Sequence, residues 1–167
     1  MAEKKVKKLR DQELESQAEE AAKDPPLKPI SDHQRRLLQQ CFEKGSTLSS
    51  KGDFDYADQM FRQCVSGDPG NLIYTQNLLA NLKRKYSNNK KGAKMAALRT
   101  AGAKARLKKS QVKKKWVDAI KAGLECLHHN PWDSSTLSEI AKACEALEIP
   151  DSQLEYLKIA LEGSIKD

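Results

Sequence analysis

The sequence lacks any apolar run long enough to cross a membrane, and aromatic residues make up only 5% of its 167 residues. A transmembrane helix needs about 20 consecutive apolar residues, so a membrane span is excluded. The first residues, MAEKKVKKLRDQELESQ, are rich in charge and contain no apolar core of a secretory signal peptide. We therefore expect a cytoplasmic protein.

Paired cysteine motifs are also missing, because the four cysteines stand at positions 41, 64, 126 and 144. Without a Cys-x-x-Cys pair, neither a zinc ribbon nor a thioredoxin-like redox centre is indicated. Each cysteine lies among helix-forming residues, so we expect reduced thiols in the core. Cys126, His128 and His129 are adjacent donors, but on a helix they cannot all face one ion, and we interpret the histidines as helix-end residues. We expect no metal and no cofactor.

No catalytic constellation is visible either. The chain has no glycine-rich phosphate loop and no histidine beside a plausible nucleophile and orienting acid. Asp53, Asp55 and Asp58 are close in sequence, but a calcium loop would need a glycine and a terminal glutamate that are missing. We interpret Asp53 as a helix cap and the other two as exposed side chains. The protein is therefore not expected to be an enzyme.

Acidic residues are absent from one long segment. Residues 69–117 contain 14 Lys and Arg and no Asp or Glu, whereas residues 1–68 have a net charge of −1 and residues 118–167 of −6. The net charge of +7 and the basic pI therefore come entirely from the middle of the chain. Such a segment attracts nucleic acid or another polyanion.

What is present is a helical pattern. Residues 1–30 read as a charged, flexible tail that ends in a proline-rich linker at 24–29, and residues 31–167 read as one helical domain. Helices are predicted at about 31–51, 53–67, 72–86, 134–147 and 151–163, with 93–130 helical throughout or broken near Gly102 or Ser110. No segment alternates as a half-buried strand does. The predicted fold class is all-α, built from successive antiparallel helical hairpins.

One hairpin carries a spaced set of small, aromatic and proline residues. Gly45 is followed by Ala57, Phe61 and Pro69, a spacing that resembles the tetratricopeptide (TPR) repeat, a helix–turn–helix of about 34 residues. Gly45 and Ala57 would let the two helices approach closely, while Phe61 fills the gap beside them. The resemblance implies a right-handed α-solenoid fragment whose first helices line a concave groove.

The second predicted repeat departs from the family. Ala119 and Pro131 have the same spacing as Ala57 and Pro69, but Gly123 stands where the aromatic residue belongs, and the two prolines lie nearly twice the family period apart. Because that period is about 34 residues, we infer a basic helical insertion at about 86–114. The alternative makes residues 93–109 an additional repeat helix.

The resemblance implies a non-catalytic scaffold that binds a protein or peptide through the concave groove. The positions expected to line it are Gln39, Phe42, Ser46, Ser49, Gln76, Asn77, Lys83, Arg84, Glu139 and Lys142. Phe42 has two interpretations, a core residue or an anchor for the partner. Of the residues with which one TPR subgroup grips a terminal carboxylate, only Asn77 is present at its position, so that mode is not expected.

The alternative function is binding of RNA, DNA, the ribosome or an acidic protein surface by residues 83–115. The cations expected to bind it are Lys94, Arg99, Lys104, Lys108, Lys109, Lys113, Lys114 and Lys115. The apolar residues at helical spacing are Met95, Leu98, Ala101, Ala105, Val112 and Trp116. Because aromatic residues for base stacking occur only at the ends of this segment, contact with nucleic acid would be with the backbone. We expect the inserted helix to project from the array.

The last hairpin is richer in apolar residues than one neighbour requires. Leu154, Leu157, Ile159 and Leu161 lie on one predicted helix, and no polar capping helix follows it, although terminal repeats usually need one. We expect either a continuation of the chain or self-association through this C-terminal hairpin.

Overall fold

In the computed structural model, residues 2–21 and 27–165 are described, and they form eight helices. The helices are α1 (Ala2–Ala21), α2 (Asp32–Ser50), α3 (Phe54–Gly67), α4 (Leu72–Lys85), α5 (Ala96–Val112), α6 (Trp116–His129), α7 (Ser134–Ala146) and α8 (Pro150–Ser164). No strand occurs within these residues, and from α2 onward each helix packs against the next except at the step from α4 to α5, which confirms the all-helical prediction. The predicted linker at 24–29 lies partly outside the described residues.

Side-chain caps explain why three of the helices begin where they do. The Ser31 hydroxyl accepts a hydrogen bond from the backbone N–H of Gln34 at 3.1 Å. Asp53 and Asn71 accept equivalent bonds from the third residue beyond them, at 3.5 and 3.3 Å. Each cap satisfies an amide that has no partner inside the helix. The assignment of Asp53 as a cap is confirmed.

Close helix packing centres on Gly45, as the spacing predicts. A Cβ atom on Gly45 would lie only 2.9 Å from Cε1 of Phe61, so α2 approaches α3 more closely there than a side chain would allow. Ala57 is fully buried and Phe61 is nearly so. The predicted packing roles of these three residues are confirmed.

A three-helix pattern occurs twice in this part of the chain, at a constant displacement along the sequence. Helices α3 and α6 have the same length, α2 and α5 end at Ser50 and Val112, and α4 and α7 begin at Leu72 and Ser134. Each of these pairs is separated by the interval that also separates Pro69 from Pro131. We call α2–α4 the first unit and α5–α7 the second unit. The spacing of the two prolines is therefore the spacing of two whole units.

The turns of the two units repeat the same backbone hydrogen bonds. The N–H of Asp53 donates to the carbonyl of Leu48 at 2.9 Å, and the N–H of Lys115 donates to the carbonyl of Ser110 at 2.8 Å. Gly52 and Lys114, which are equivalent positions of the two units, both have a positive φ, of 83° and 55°. The left-handed residue therefore recurs even where it is not glycine.

The helix predicted as an insertion does not project from the array. Helix α5 packs along α6 and touches α7, burying Thr100, Ala103 and Leu107. The break between α5 and α6 lies at 113–115 rather than at Gly102 or Ser110. The expectation of a projecting helix at 86–114 is wrong, and the packing agrees with the alternative in which 93–109 belongs to the array.

The two units meet through α3 and α6, and α8 closes against α4. At the second contact the Ser152 hydroxyl, which is fully buried, donates to the carbonyl of Pro69 at 2.9 Å. Lys83 on α4 forms an ion pair with Glu162 on α8 at 2.9 Å. Helix α8 therefore binds the first unit although it follows the second in sequence.

Candidate functional site

The predicted groove residues of α2 and α4 lie on neighbouring helices. The ring of Phe42 lies 5.4 Å from that of Tyr74, measured between centroids. Near the other end of the two helices, a guanidinium nitrogen of Arg84 donates to the hydroxyl of Ser49 at 3.2 Å. These two links join α2 to α4 along one side of the first unit.

Two of these residues contribute mainly to packing. Ser49 is buried, and Phe42 is half-buried with its ring also 5.9 Å from Phe61, so the interpretation of Phe42 as a core residue fits better. Gln39 and Gln76 are exposed. Ser46 and Asn77 are half-buried, and the Asn77 amide donates to the Ile73 carbonyl at 2.8 Å.

Glu139 and Lys142 lie on α7, away from these links. They form an ion pair with each other at 2.8 Å. The backbone carbonyl of Glu139 accepts a hydrogen bond from the side chain of Gln111 on α5 at 3.0 Å. Their observed partners therefore belong to the second unit, and nothing brings them into contact with the predicted groove residues of α2 and α4.

An apolar groove of about 540 Å³ opens beside α4. Its lining residues are Phe54, Ala80, Lys83, Arg84, Ser87 and Asn88. The Arg84 guanidinium lies over the Phe54 ring, 5.1 Å from its centroid, which holds the cation at the edge of the groove. Of these residues, only Lys83 and Arg84 were expected from sequence. The others belong to α3, to α4 and to the turn after α4, so their proximity depends on how α3 packs against α4.

The cations of the second unit fall into two groups. Lys104 forms an ion pair with Asp133 at 2.7 Å, and Arg106 forms one with Glu125, so both help to fasten α5 to the rest of its unit. Among the described residues, no carboxylate forms an ion pair with the exposed side chains of Lys94, Arg99, Lys108, Lys109 and Lys113. Lys114 and Lys115 have other interactions.

The apolar residues predicted for α5 face away from the core. Met95 and Leu98 are each 69% exposed and Val112 is 84% exposed. Ala101 and Ala105 are exposed as well, whereas Trp116 packs partly against the core. Helix α5 therefore has a small buried face and a second apolar stripe turned to solvent.

A charged network that the sequence did not indicate connects the units. Asp58, fully buried on α3, accepts from Arg62 Nε at 2.8 Å and lies 2.7 Å from Nδ1 of His128 on α6. Lys85 on α4 forms an ion pair with Asp55 at 2.6 Å, and this hydrogen bond holds the pKa of Asp55 below its usual value. The expectation that Asp58 is exposed is wrong, because α6 covers it with His128.

The cysteines behave as core residues. Cys64, Cys126 and Cys144 are fully buried, Cys41 is half-buried, and all four are free thiols. Burial raises the pKa of Cys64 and of Cys144 to about 12, which suppresses the reactive thiolate. In the part of the chain that the structure describes, no cluster of His, Cys, Asp and Glu is arranged to hold a metal ion.

Comparison with protein-family models, with curated proteins and with solved structures finds no match for this chain. None of the helices in residues 2–21 and 27–165 combines the length and apolar character needed to cross a bilayer.

Proposed function

We propose that the protein is a non-catalytic interaction module that binds a protein segment through the apolar groove formed by α3, α4 and the turn after α4. The observation that carries the proposal is the apolar groove beside Phe54, which is rimmed by Lys83 and Arg84. An apolar cleft with a few polar groups at its edge is the common form of a recognition site. The TPR-like spacing in the first hairpin supports the same kind of function.

The groove favours one chemistry in its partner. Phe54 and Ala80 offer an apolar surface, and Asn88 offers an amide for hydrogen bonding. Lys83 is already paired with Glu162, so Arg84, which forms no ion pair with a described carboxylate, is the cation that favours a carboxylate on the partner. We therefore expect a peptide in which an apolar anchor stands next to an acidic residue.

Four free cysteines, three of them buried, support a reducing cytoplasmic setting.

The test is selection from a displayed library of random peptides. Wild-type protein should enrich sequences with an apolar residue beside Asp or Glu, and Ala80→Arg should abolish the enrichment because the new side chain occupies the groove. Ala146→Arg, at an exposed alanine on α7, is the matched control and should select as the wild type does. Unchanged selection by Ala80→Arg would contradict the proposal.

A second candidate function is supported by the cations of α5. Five exposed Lys and Arg side chains between 94 and 113 form no ion pair with a described carboxylate, so their field can attract a polyanion. Single-stranded RNA of about 20 nucleotides is a suitable probe, and its affinity should fall steeply with salt because phosphate contacts release counterions. A protein that binds no such RNA at about 50 mM salt would remove this candidate.

The matched comparison keeps the net charge constant. Lys108, Lys109 and Lys113 changed together to Gln should weaken RNA binding about tenfold or more. Lys44, Lys51 and Lys121 are also exposed but lie on or next to α2 and α6, and the same change there should have a much smaller effect. Equal losses in both triple variants would indicate attraction by net charge alone.

A further inference from the structure

Two helices of the array present apolar stripes to solvent. On α5, Leu98, Ala105 and Val112 recur at heptad spacing, which places them on one side of the helix, and all three are exposed. On α8, Leu154, Leu157 and Leu161 are 53%, 42% and 63% exposed, and Ile165 just beyond the helix is 57% exposed. Helix α5 packs on α6 and α7, and α8 packs on α7 and α4, so none of the described helices covers either stripe.

The two stripes carry opposite charge. Residues 94–115 contain nine Lys and Arg and no acidic residue. Residues 145–164 contain five acidic residues and one lysine. Glu155 and Glu162 are ion-paired within the chain with Lys158 and Lys83, whereas Glu145, Glu148 and Asp151, near the start of α8, are exposed. Pairing α5 with α5, or α8 with α8, would place like charges together, whereas pairing α5 with α8 brings opposite charges together.

The shapes of the stripes are also complementary. Ala101, Gly102 and Ala105 give the outer side of α5 a shallow surface, and a Cβ atom on Gly102 would meet nothing within 4 Å. The α8 stripe consists of large leucines, which fit against small residues as knobs fit into holes. At 1.5 Å per residue the α5 stripe from Leu98 to Val112 is about 21 Å long and the α8 stripe from Leu154 to Leu161 is about 11 Å long, so the α8 stripe fits within the length of the α5 stripe.

We propose that the protein self-associates head to tail, with the α8 stripe of one copy docked on the α5 stripe of the next. One such contact uses the α8 stripe of one copy and the α5 stripe of the other, so a pair of copies still has one free α5 stripe and one free α8 stripe, and the assembly grows beyond a dimer. This self-association does not involve the groove beside Phe54. It requires the apolar side chains of the α5 stripe in addition to the Lys and Arg side chains around them.

The experiment is sedimentation velocity of the full chain at rising concentration in about 50 mM salt, where charge attraction is weakly screened. The wild-type protein should form species larger than a dimer. Leu98→Gln with Ala105→Gln blocks α5, and Leu154→Gln with Leu161→Gln blocks α8, and each double variant alone should be monomeric. Because Gln changes no charge and all four positions are exposed, folding and RNA binding should be retained, so this test is independent of the RNA proposal.

Mixing the two double variants gives the decisive result. The free α8 of the first variant can bind the free α5 of the second, and the blocked surfaces stop further growth, so the mixture should form a dimer and nothing larger. Val112→Gln on the α5 stripe and Leu157→Gln on the α8 stripe should each weaken the self-association of the otherwise wild-type protein about tenfold. These single variants show whether the result depends on the particular double variants chosen. A wild type that stays monomeric, an α5 variant that still dimerises, or a mixture that stays monomeric would each overturn the proposal.

Discussion

The two units share a backbone but fill it with different side chains. Position for position, Gly45 and Phe61 of the first unit correspond to Leu107 and Gly123 of the second, so a small and a large residue exchange places. In the second unit a Cβ on Gly123 would lie 2.4 Å from Cγ1 of Ile140, so α7 occupies the space that Phe61 takes in the first. The helix spacing can therefore be kept by more than one arrangement of side chains.

The units also differ in where their charges lie. Asp58, Ser66 and Gly67 of the first unit correspond to Ile120, His128 and His129 of the second. Asp58 and His128 then meet across the α3–α6 contact at 2.7 Å. This contact between Asp58 and His128, which we call the polar junction, therefore exists because the two units are not identical, and it joins the first unit to the second.

The largest effect is expected from removing Phe61, an aromatic residue whose counterpart in the second unit is a glycine. Phe61→Ala should lower the free energy of unfolding by about 3–5 kcal/mol, because Phe61 is 1% exposed and its loss leaves a cavity against Gly45. Denaturant unfolding followed by circular dichroism measures the change. At the equivalent position Gly123→Ala should cost about 1–3 kcal/mol for the opposite reason, since it overpacks against Ile140. A neutral result for both would contradict the correspondence of the units.

A smaller loss is expected from the polar junction. Asp58→Asn removes the charge that Arg62 and His128 both contact and should destabilise the protein by about 1–3 kcal/mol. His128→Gln in the same background should then cost little more, because the pair is already broken. Fully additive losses in this double-mutant cycle would show that the two side chains do not act together.

His129, which follows the junction residue His128 on α6, predicts a pH dependence of stability near neutral pH. Burial, with the nearby positive charge of His128 and Lys85, holds the pKa of His129 below its usual value near 6.5. The unfolded chain therefore takes up this proton more readily than the folded protein, so stability is fully present above about pH 6.5 and is lost as pH falls through the lower folded pKa. The melting temperature should drop between about pH 7.5 and about pH 5.5, and His129→Gln should reduce the drop. His33→Gln, at an exposed position of α2, is the control and should show the same drop in melting temperature as the wild type.

The sequence predicted structural features that depend on residues close together in the chain, but not those that depend on how the second unit packs against the first. The cap at Asp53 and the packing of Gly45 depend on neighbours within one helix or hairpin, and both were predicted. The roles of α5 and of Asp58 were missed. Helix α5 buries only Thr100, Ala103 and Leu107, so its larger apolar residues indicated the wrong face.

The spacing of Ala57, Cys64 and Pro69, repeated at Ala119, Cys126 and Pro131, was the available signal for the second unit. Compared with the TPR period of about 34 residues, this longer spacing suggested an insertion. If the spacing itself is taken as the repeat period, it predicts both units without any insertion. His128 carried no comparable signal, because its partner Asp58 lies 70 positions away on another helix.

The smallest predicted effect separates the starts of α3 and α6. Asp53 caps α3 by accepting from the backbone of Tyr56, whereas Lys115, its counterpart in the second unit, makes no side-chain cap. Asp53→Ala should therefore cost about 0.5–2 kcal/mol of unfolding free energy through loss of the cap, whereas Lys115→Ala removes no cap. Asp53→Ser, which keeps an acceptor oxygen, should restore most of the loss in denaturant unfolding. If Asp53→Ser were as unstable as Asp53→Ala, the loss would come from the negative charge near the helix start rather than from the cap.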